Sequence, residues 1–179
     1  MKFGQMTVWL LISLFAVSGT AYAKKSKNQA EAHRLEEEIS KLARKNHWGG
    51  VERNYKQLMK LKKVTIKAQT HVTGAQSAKE NADVAEWIER LKRAGAQGRD
   101  ELGYVKKSFG QVKIKKQKGN ALTPDGGMPF DPVHRKLVEA AASQVKKKGK
   151  FKGWLPVGGY TVGQKAFTVR AGQTTKVKK

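Results

Sequence analysis

The stretch "GQVKIKKQKG", residues 110–119, is where the chain changes its period. Val112 and Ile114 alternate with Lys113 and Lys115, which places the apolar pair on one face and the lysines on the other, the pattern of a half-buried strand. Upstream of this point apolar residues recur at intervals of three and four; downstream, outside one helical stretch, they recur at two. The expected class is therefore α+β, helices first and a small antiparallel sheet after.

Upstream, Leu35, Ile39 and Leu42 repeat at helical spacing among charged residues, Asn46-His47 interrupts, and Val51, Tyr55, Leu58 and Leu61 mark a second stripe with Trp48 at its entrance. The two stripes predict a helical hairpin. A shift of 36 residues maps Ile39 to Ala75, Leu42 to Ala78, Val51 to Trp87, Tyr55 to Leu91 and Leu58 to Ala94, so a second hairpin is expected to follow. The segments "ARKNHWGGVERNYKQLMKL" (43–61) and "GAQSAKENADVAEWIERLKRA" (74–94) resemble the second-helix signature of tetratricopeptide repeats. That resemblance implies antiparallel helical hairpins that hold a protein partner, with Trp48, Tyr55 and Trp87 as candidate contacts. A plain four-helix array is the alternative. Two repeats alone bury too little apolar surface and must dock on something, either the rest of the chain or a partner.

Downstream, Asp131 as N-cap, Pro132 in the first turn, a stripe of Val133, Leu137, Ala141 and Val145, and Gly149 as C-cap predict one helix inserted among the strands. The tail from Phe151 on holds three or four more strands. Tyr160 and Val162, then Phe167 and Val169, then Thr175 and Val177 alternate in phase, with turns at Gly163-Gln164 and Ala171-Gly172-Gln173, so the end reads as an antiparallel meander with a lysine-coated outer face. "LPVGGYTV" (155–162), "FTV" (167–169) and "AGQTT" (171–175) resemble the closing strands of PEGA-type, carboxypeptidase-regulatory-like (transthyretin-like) β domains. In that family the tyrosine packs under the turn, and the resemblance implies a structural or adhesive role.

At the other end, Lys2, an apolar run from Met6 to Val17 and Ala21-Tyr22-Ala23 have the layout of a signal peptide cleaved after Ala23. The run is too short to span a bilayer. The expected organisation is a signal peptide at 1–23, a helical-hairpin domain at 24–102 and a basic α+β domain at 103–179, in a protein exported to the periplasm or cell surface. Lys24 and Lys25 just beyond the cut oppose translocation and slow the cleavage.

No catalytic constellation stands out. Cysteine is absent, so there is no disulfide framework or thiolate metal site. His33, His47, His71 and His134 form no paired-ligand motif, and no phosphate-cradling or nucleophile loop occurs; Gly126-Gly127 and Gly158-Gly159 read as turns. Asp131 with His134 reads as a helix cap and its first turn. No enzyme activity, cofactor or metal is expected, and no small-molecule substrate is indicated.

What remains is charge. The chain carries a formal +23, and it is uneven: residues 24–102 hold 18 basic and 11 acidic side chains, residues 103–179 hold 18 and 3. Lys106, Lys107, Lys113, Lys115, Lys116 and Lys118 form one group; Lys146, Lys147, Lys148, Lys150 and Lys152 a second; Lys176, Lys178 and Lys179 a third. Such clusters attract polyanions, and lysine rather than arginine implies loose, salt-sensitive attraction. Lys113, Lys115, Lys116, Lys146, Lys147, Lys148, Lys150 and Lys152 are the candidate anion-binding residues. Among the aromatics interleaved with them, core packing is the expected role, with Trp154 in a loop as the candidate for exposure and partner contact. The expected function is a binding or scaffold protein resting on anionic lipid headgroups, lipopolysaccharide or wall polymer. A nucleic-acid-binding protein using the same lysines is the alternative, colloidal solubility is the bland one, and an exported enzyme with no recognisable site is the third.

Overall fold

The computed structural model describes residues 27–178, and the signal peptide read in residues 1–23 lies outside them. Among the described residues no helix is long and apolar enough to cross a membrane. The chain is α+β and divides into two compact units, one reaching to Thr70 and the other starting at His71. The change in charge at Gly103 falls inside the second unit, within a helix.

In the first unit a helix described over 27–44 (α1) is followed by α2, Trp48–Leu58. Ala32, Leu35 and Ile39 of α1 close against Val51, Tyr55 and Leu58 of α2, with Leu42, Trp48 and Leu61 packed at the margin. Glu36, buried beside them, pins the following segment: its Oε1 accepts from the backbone N–H of Lys67 at 2.7 Å and from Thr70 Oγ1 at 3.0 Å.

Helix α3, Ala68–Glu80, leads into α4, Val84–Ala94, whose N-cap Asp83 accepts from the N–H of Glu86. The 36-residue recurrence is present in the backbone. α4 is α2 displaced by 36; Asn46 and Ala82 both take positive φ, 53° and 54°; and the N–H of His47 on Leu42 reappears as that of Asp83 on Ala78. This second hairpin is not left open. Ala75, Ala78, Trp87 and Leu91 share one core with Val105 of α5 (Arg99–Ser108), Phe109 and Leu137.

α5 passes without a loop into β1, Phe109–Ile114, whose inward Val112 and Ile114 are buried as their alternation predicts. After β2 (Leu122–Pro124) comes α6, Pro132–Lys148, built as the sequence foretells: Asp131 accepts from the N–H of His134, Pro132 opens the helix, and Gly149 closes it at φ 66°. β3 (Phe151–Pro156), β4 (Gly158–Val162), β5 (Lys165–Val169) and β6 (Thr174–Val177) complete the chain. Two three-stranded sheets result, ordered β3-β1-β6 and β2-β4-β5. Val138, Ala141 and Val145 of α6 join residues of both sheets in one core, while Leu137 and Val133 reach the helical core.

The antiparallel meander expected for the tail stops at β5. β6 leaves the β4–β5 hairpin and pairs with β1 in parallel, Lys113 beside Lys176 and Ile114 beside Val177, so the first sheet is mixed. The cause is the second edge of β1, which would otherwise present unpaired N–H and C=O groups. Crossing over satisfies that edge and delivers Val177 to the core beside Ile114. At Gly158-Gly159, read as a turn, the chain is already in β4, while Gly126 stands in a turn as expected.

Tyr160 locks the corner between β3 and β4. Its hydroxyl donates to the Pro156 carbonyl at 3.0 Å, its ring stacks on Phe167 with centroids 5.7 Å apart, and burial pushes its phenol up to about 12.

Candidate anion-binding face

At one end of each strand of the β3-β1-β6 sheet the same tripeptide pattern occurs, lysine–apolar–lysine, with one lysine inside the strand and the other just beyond it: Lys150-Phe151-Lys152, Lys113-Ile114-Lys115 and Lys176-Val177-Lys178. The register brings the three patterns level. Ile114 stands between Phe151 and Val177, and all three point into the core. Lys113 accordingly stands between Lys152 and Lys176 on the opposite face. One step further, alternation returns Lys150, Lys115 and Lys178 to that same face, where the N–H of Lys115 on the Val177 carbonyl at 3.0 Å continues the ladder. Six lysines thus stand in two levels of three, Lys152, Lys113 and Lys176 paired within the strands and Lys150, Lys115 and Lys178 just beyond their ends. Neighbours are about 4.8 Å apart across strands and about 6.7 Å along them at the level of the backbone.

The other end of this face is closed. Phe109, on the lysine side of β1, is fully buried in the helical core, where its ring meets Trp87 edge-on at 5.9 Å and His134 at 4.9 Å. Along β1 the face runs from buried Phe109 through half-buried Gln111 and Lys113 to exposed Lys115. Water begins where the lysines do.

Like charges directly opposite one another in a sheet are destabilising. Nothing offsets them here: among the described residues none of the six lysines has a carboxylate within ion-pair distance, although ion pairs are frequent on the helices, Arg34 with Glu31 and Lys92 with Glu89 among them.

A cleft of about 640 Å³ opens at the edge of this face, between the β1–β2 connection, the end of α6 and the start of β3. Lys116, Lys118 and Lys148 line it together with lysines of the two rows, and the buried Ile114 and Phe151 lie at its base. The connection is strapped to the helix end: the N–H of Gln117 donates to the Gly149 carbonyl at 2.9 Å and that of Gly119 to the Lys146 carbonyl at 3.1 Å. These bonds satisfy carbonyls that the helix C-terminus leaves over. A second, smaller cleft of about 300 Å³ lies on the far side, between Lys113, Lys115, Lys176 and Lys178.

Of the candidate anion-binding lysines, the fold gathers Lys113, Lys115, Lys116, Lys148, Lys150 and Lys152 around the larger cleft. Lys146 and Lys147 are exposed on the last turn of α6 and do not line it. Lys118, Lys176 and Lys178 belong to the arrangement although the sequence singled them out only as charge.

The candidate partner aromatics are placed otherwise. Tyr55 and Trp87 are each 1% exposed inside their cores and offer no surface to a partner. Trp87 fills its site because its ring is held from three sides, by the helical core, by Glu101 accepting from Nε1 at 3.2 Å and by Lys79 over the ring at 5.4 Å. Trp48 is half-buried at the margin of the first core. Trp154 stands in β3, not in a loop, and packs on the helical core. Phe151 and Tyr160 are core residues and Phe167 packs beside them, whereas Tyr104 is half-exposed.

Among the described residues no group of three or more His, Asp and Glu side chains is placed to hold a metal ion. Asp131 spends its carboxylate on the backbone of His134, whose ring is turned to Phe109. Comparison of the chain with protein-family models, with curated proteins and with solved structures gives no match.

Proposed function

We propose that this is a non-enzymatic, exported binding protein whose lysine-faced sheet rests on an anionic component of the cell envelope, lipid headgroups, lipopolysaccharide or wall polymer, while its helical hairpins engage a protein partner. The observation that carries the reading is the level alignment of three lysine–apolar–lysine strands. A solubilising charge has no need of register and is better spread out. Six cations on one face, without acids among them, raise the local potential and recruit polyanions at a cost in stability.

The tetratricopeptide-like reading of the hairpins is supported by the 36-residue recurrence of helix and turn, and the β-domain resemblance by the tyrosine locked under the β3–β4 corner. Export rests on the leader sequence. With Tyr55 and Trp87 inside, Trp48 is the aromatic left on the first hairpin to meet a partner.

Fractionated cells and vesicles test this together. The expected protein begins at Lys24 by mass spectrometry of the envelope fraction, and the full mature chain sediments with phosphatidylglycerol vesicles but not phosphatidylcholine vesicles at low salt. An intact Met1 in the cytosol, or stronger retention on duplex DNA than on vesicles at equal phosphate, would replace this reading with the nucleic-acid one.

A further inference from the structure

The larger cleft differs from the smaller one between Lys113, Lys115, Lys176 and Lys178 in its volume and in its strapped margin. The geometry points to this cleft as a site for an anionic amphiphile, its phosphate held among Lys116, Lys118 and Lys148 and its apolar portion laid along the methylene stems of the lining lysines. This deepens the proposed attachment to an anionic surface and rests on it.

Three observations carry the inference. A volume of about 640 Å³ is room for a small molecule or a lipid headgroup in an open cleft, where a flat electrostatic surface needs none. The lining is two-natured, since the lysines that surround the cleft bring methylene stems as well as ammonium groups, with only the rim of Phe151 beneath them, which matches an amphiphile better than inorganic phosphate. Finally, Lys116 holds a left-handed backbone, φ 60°, where glycine or asparagine would cost less. The bonds of Gln117 and Gly119 to the end of α6 hold that conformation, so the margin that carries Lys116 and Lys118 is fixed before any ligand arrives.

Isothermal titration of the full mature chain with dihexanoyl phosphatidic acid below its micelle concentration, with glycerol phosphate and with inorganic phosphate tests the site. Expected is at least about tenfold tighter binding of the lipid than of either soluble phosphate, from the apolar area it buries, and weakening as salt rises. Replacing Lys116, Lys118 and Lys148 together by glutamine should lower lipid affinity by about fivefold per charge; Lys148→Gln alone, at an exposed helix end, should show the single step with no effect on folding. Lys176→Gln with Lys178→Gln should leave it unchanged. Equal affinity for all three phosphates would overturn the inference, as would an unaltered affinity in the Lys148 variant or tighter binding of duplex DNA than of the lipid. No titration with the soluble lipid while phosphatidylglycerol vesicles still bind would overturn the cleft alone and leave the lysine-faced sheet standing; loss of both would remove the functional reading as well.

Discussion

Lys113 stands directly opposite Lys152 across the antiparallel β1–β3 pair, and no acidic side chain among the described residues answers either of them. A ladder position of that kind favours β-branched or oppositely charged partners, so the pair works against the stability of the sheet.

Lys113→Glu should therefore stabilise the fold. The new carboxylate lies between Lys152 and Lys176, and a gain of about 0.5 kcal/mol is expected at low salt, read as a rise in Tm and fading as salt is added. The same variant should bind anionic vesicles more weakly. A fall in Tm would mean that the lysine row is not repulsive.

Tyr160 sets an alkaline limit. Its phenol ionises near 10 in the unfolded chain and near 12 in the fold, so the folded state holds the proton over that interval and the unfolded state has lost it. The stability this contributes is whole below about pH 10 and disappears as pH rises through about 12. Tyr160→Phe should remove this part of the alkaline decline and cost about 1 to 3 kcal/mol at neutral pH by leaving the buried Pro156 carbonyl without its donor. Urea unfolding at a series of pH values measures both.

Ala82 occupies a left-handed position where its counterpart 36 residues earlier is Asn46. Ala82→Gly should stabilise by about 1 kcal/mol through relief of the Cβ clash, and Asn46→Ala should destabilise by a similar amount. Chemical denaturation of the two variants tests whether the two turns are equivalent in energy as they are in backbone angle.

Gly149 closes α6 and faces the cleft. At φ 66° a side chain is strained, and a Cβ there would come within 2.6 Å of the Lys118 backbone nitrogen. Gly149→Ala should cost more than the about 1 kcal/mol of the left-handed conformation alone, because the β1–β2 connection must move as well. Thermal unfolding measures the loss.

Much of this was legible in the residues where the deciding physics is local. The caps of α6 are side chains adjacent in sequence to the groups they satisfy, so Asp131, Pro132 and Gly149 announced the helix, and the alternation around Val112 and Ile114 announced β1. Pairing partners were not legible in the same way. β6 and β1 lie about 60 residues apart, and a period of two says which face a strand buries without saying which edge it joins; the meander was the local choice, and the open edge of β1 overruled it. The site suffered and gained from the same cause. Lysine–apolar–lysine occurs three times in plain sight, yet only the order β3-β1-β6 makes those tripeptides neighbours. Aromatics failed in the opposite sense: Tyr55 and Trp87 look like contact residues among charges, but at helical spacing their rings are the largest volumes available to fill two small cores.

The central claim is that the two level rows of lysine on the β3-β1-β6 sheet bind polyanions as a unit. Replacing Lys113, Lys115, Lys150, Lys152, Lys176 and Lys178 with glutamine and measuring sedimentation with phosphatidylglycerol vesicles across a salt series tests it most directly. The account predicts an unchanged circular dichroism spectrum, a Tm no lower than that of the parent, and binding reduced to the level seen with phosphatidylcholine. Vesicle affinity equal to the parent's at every salt concentration, in a variant that folds, would contradict it.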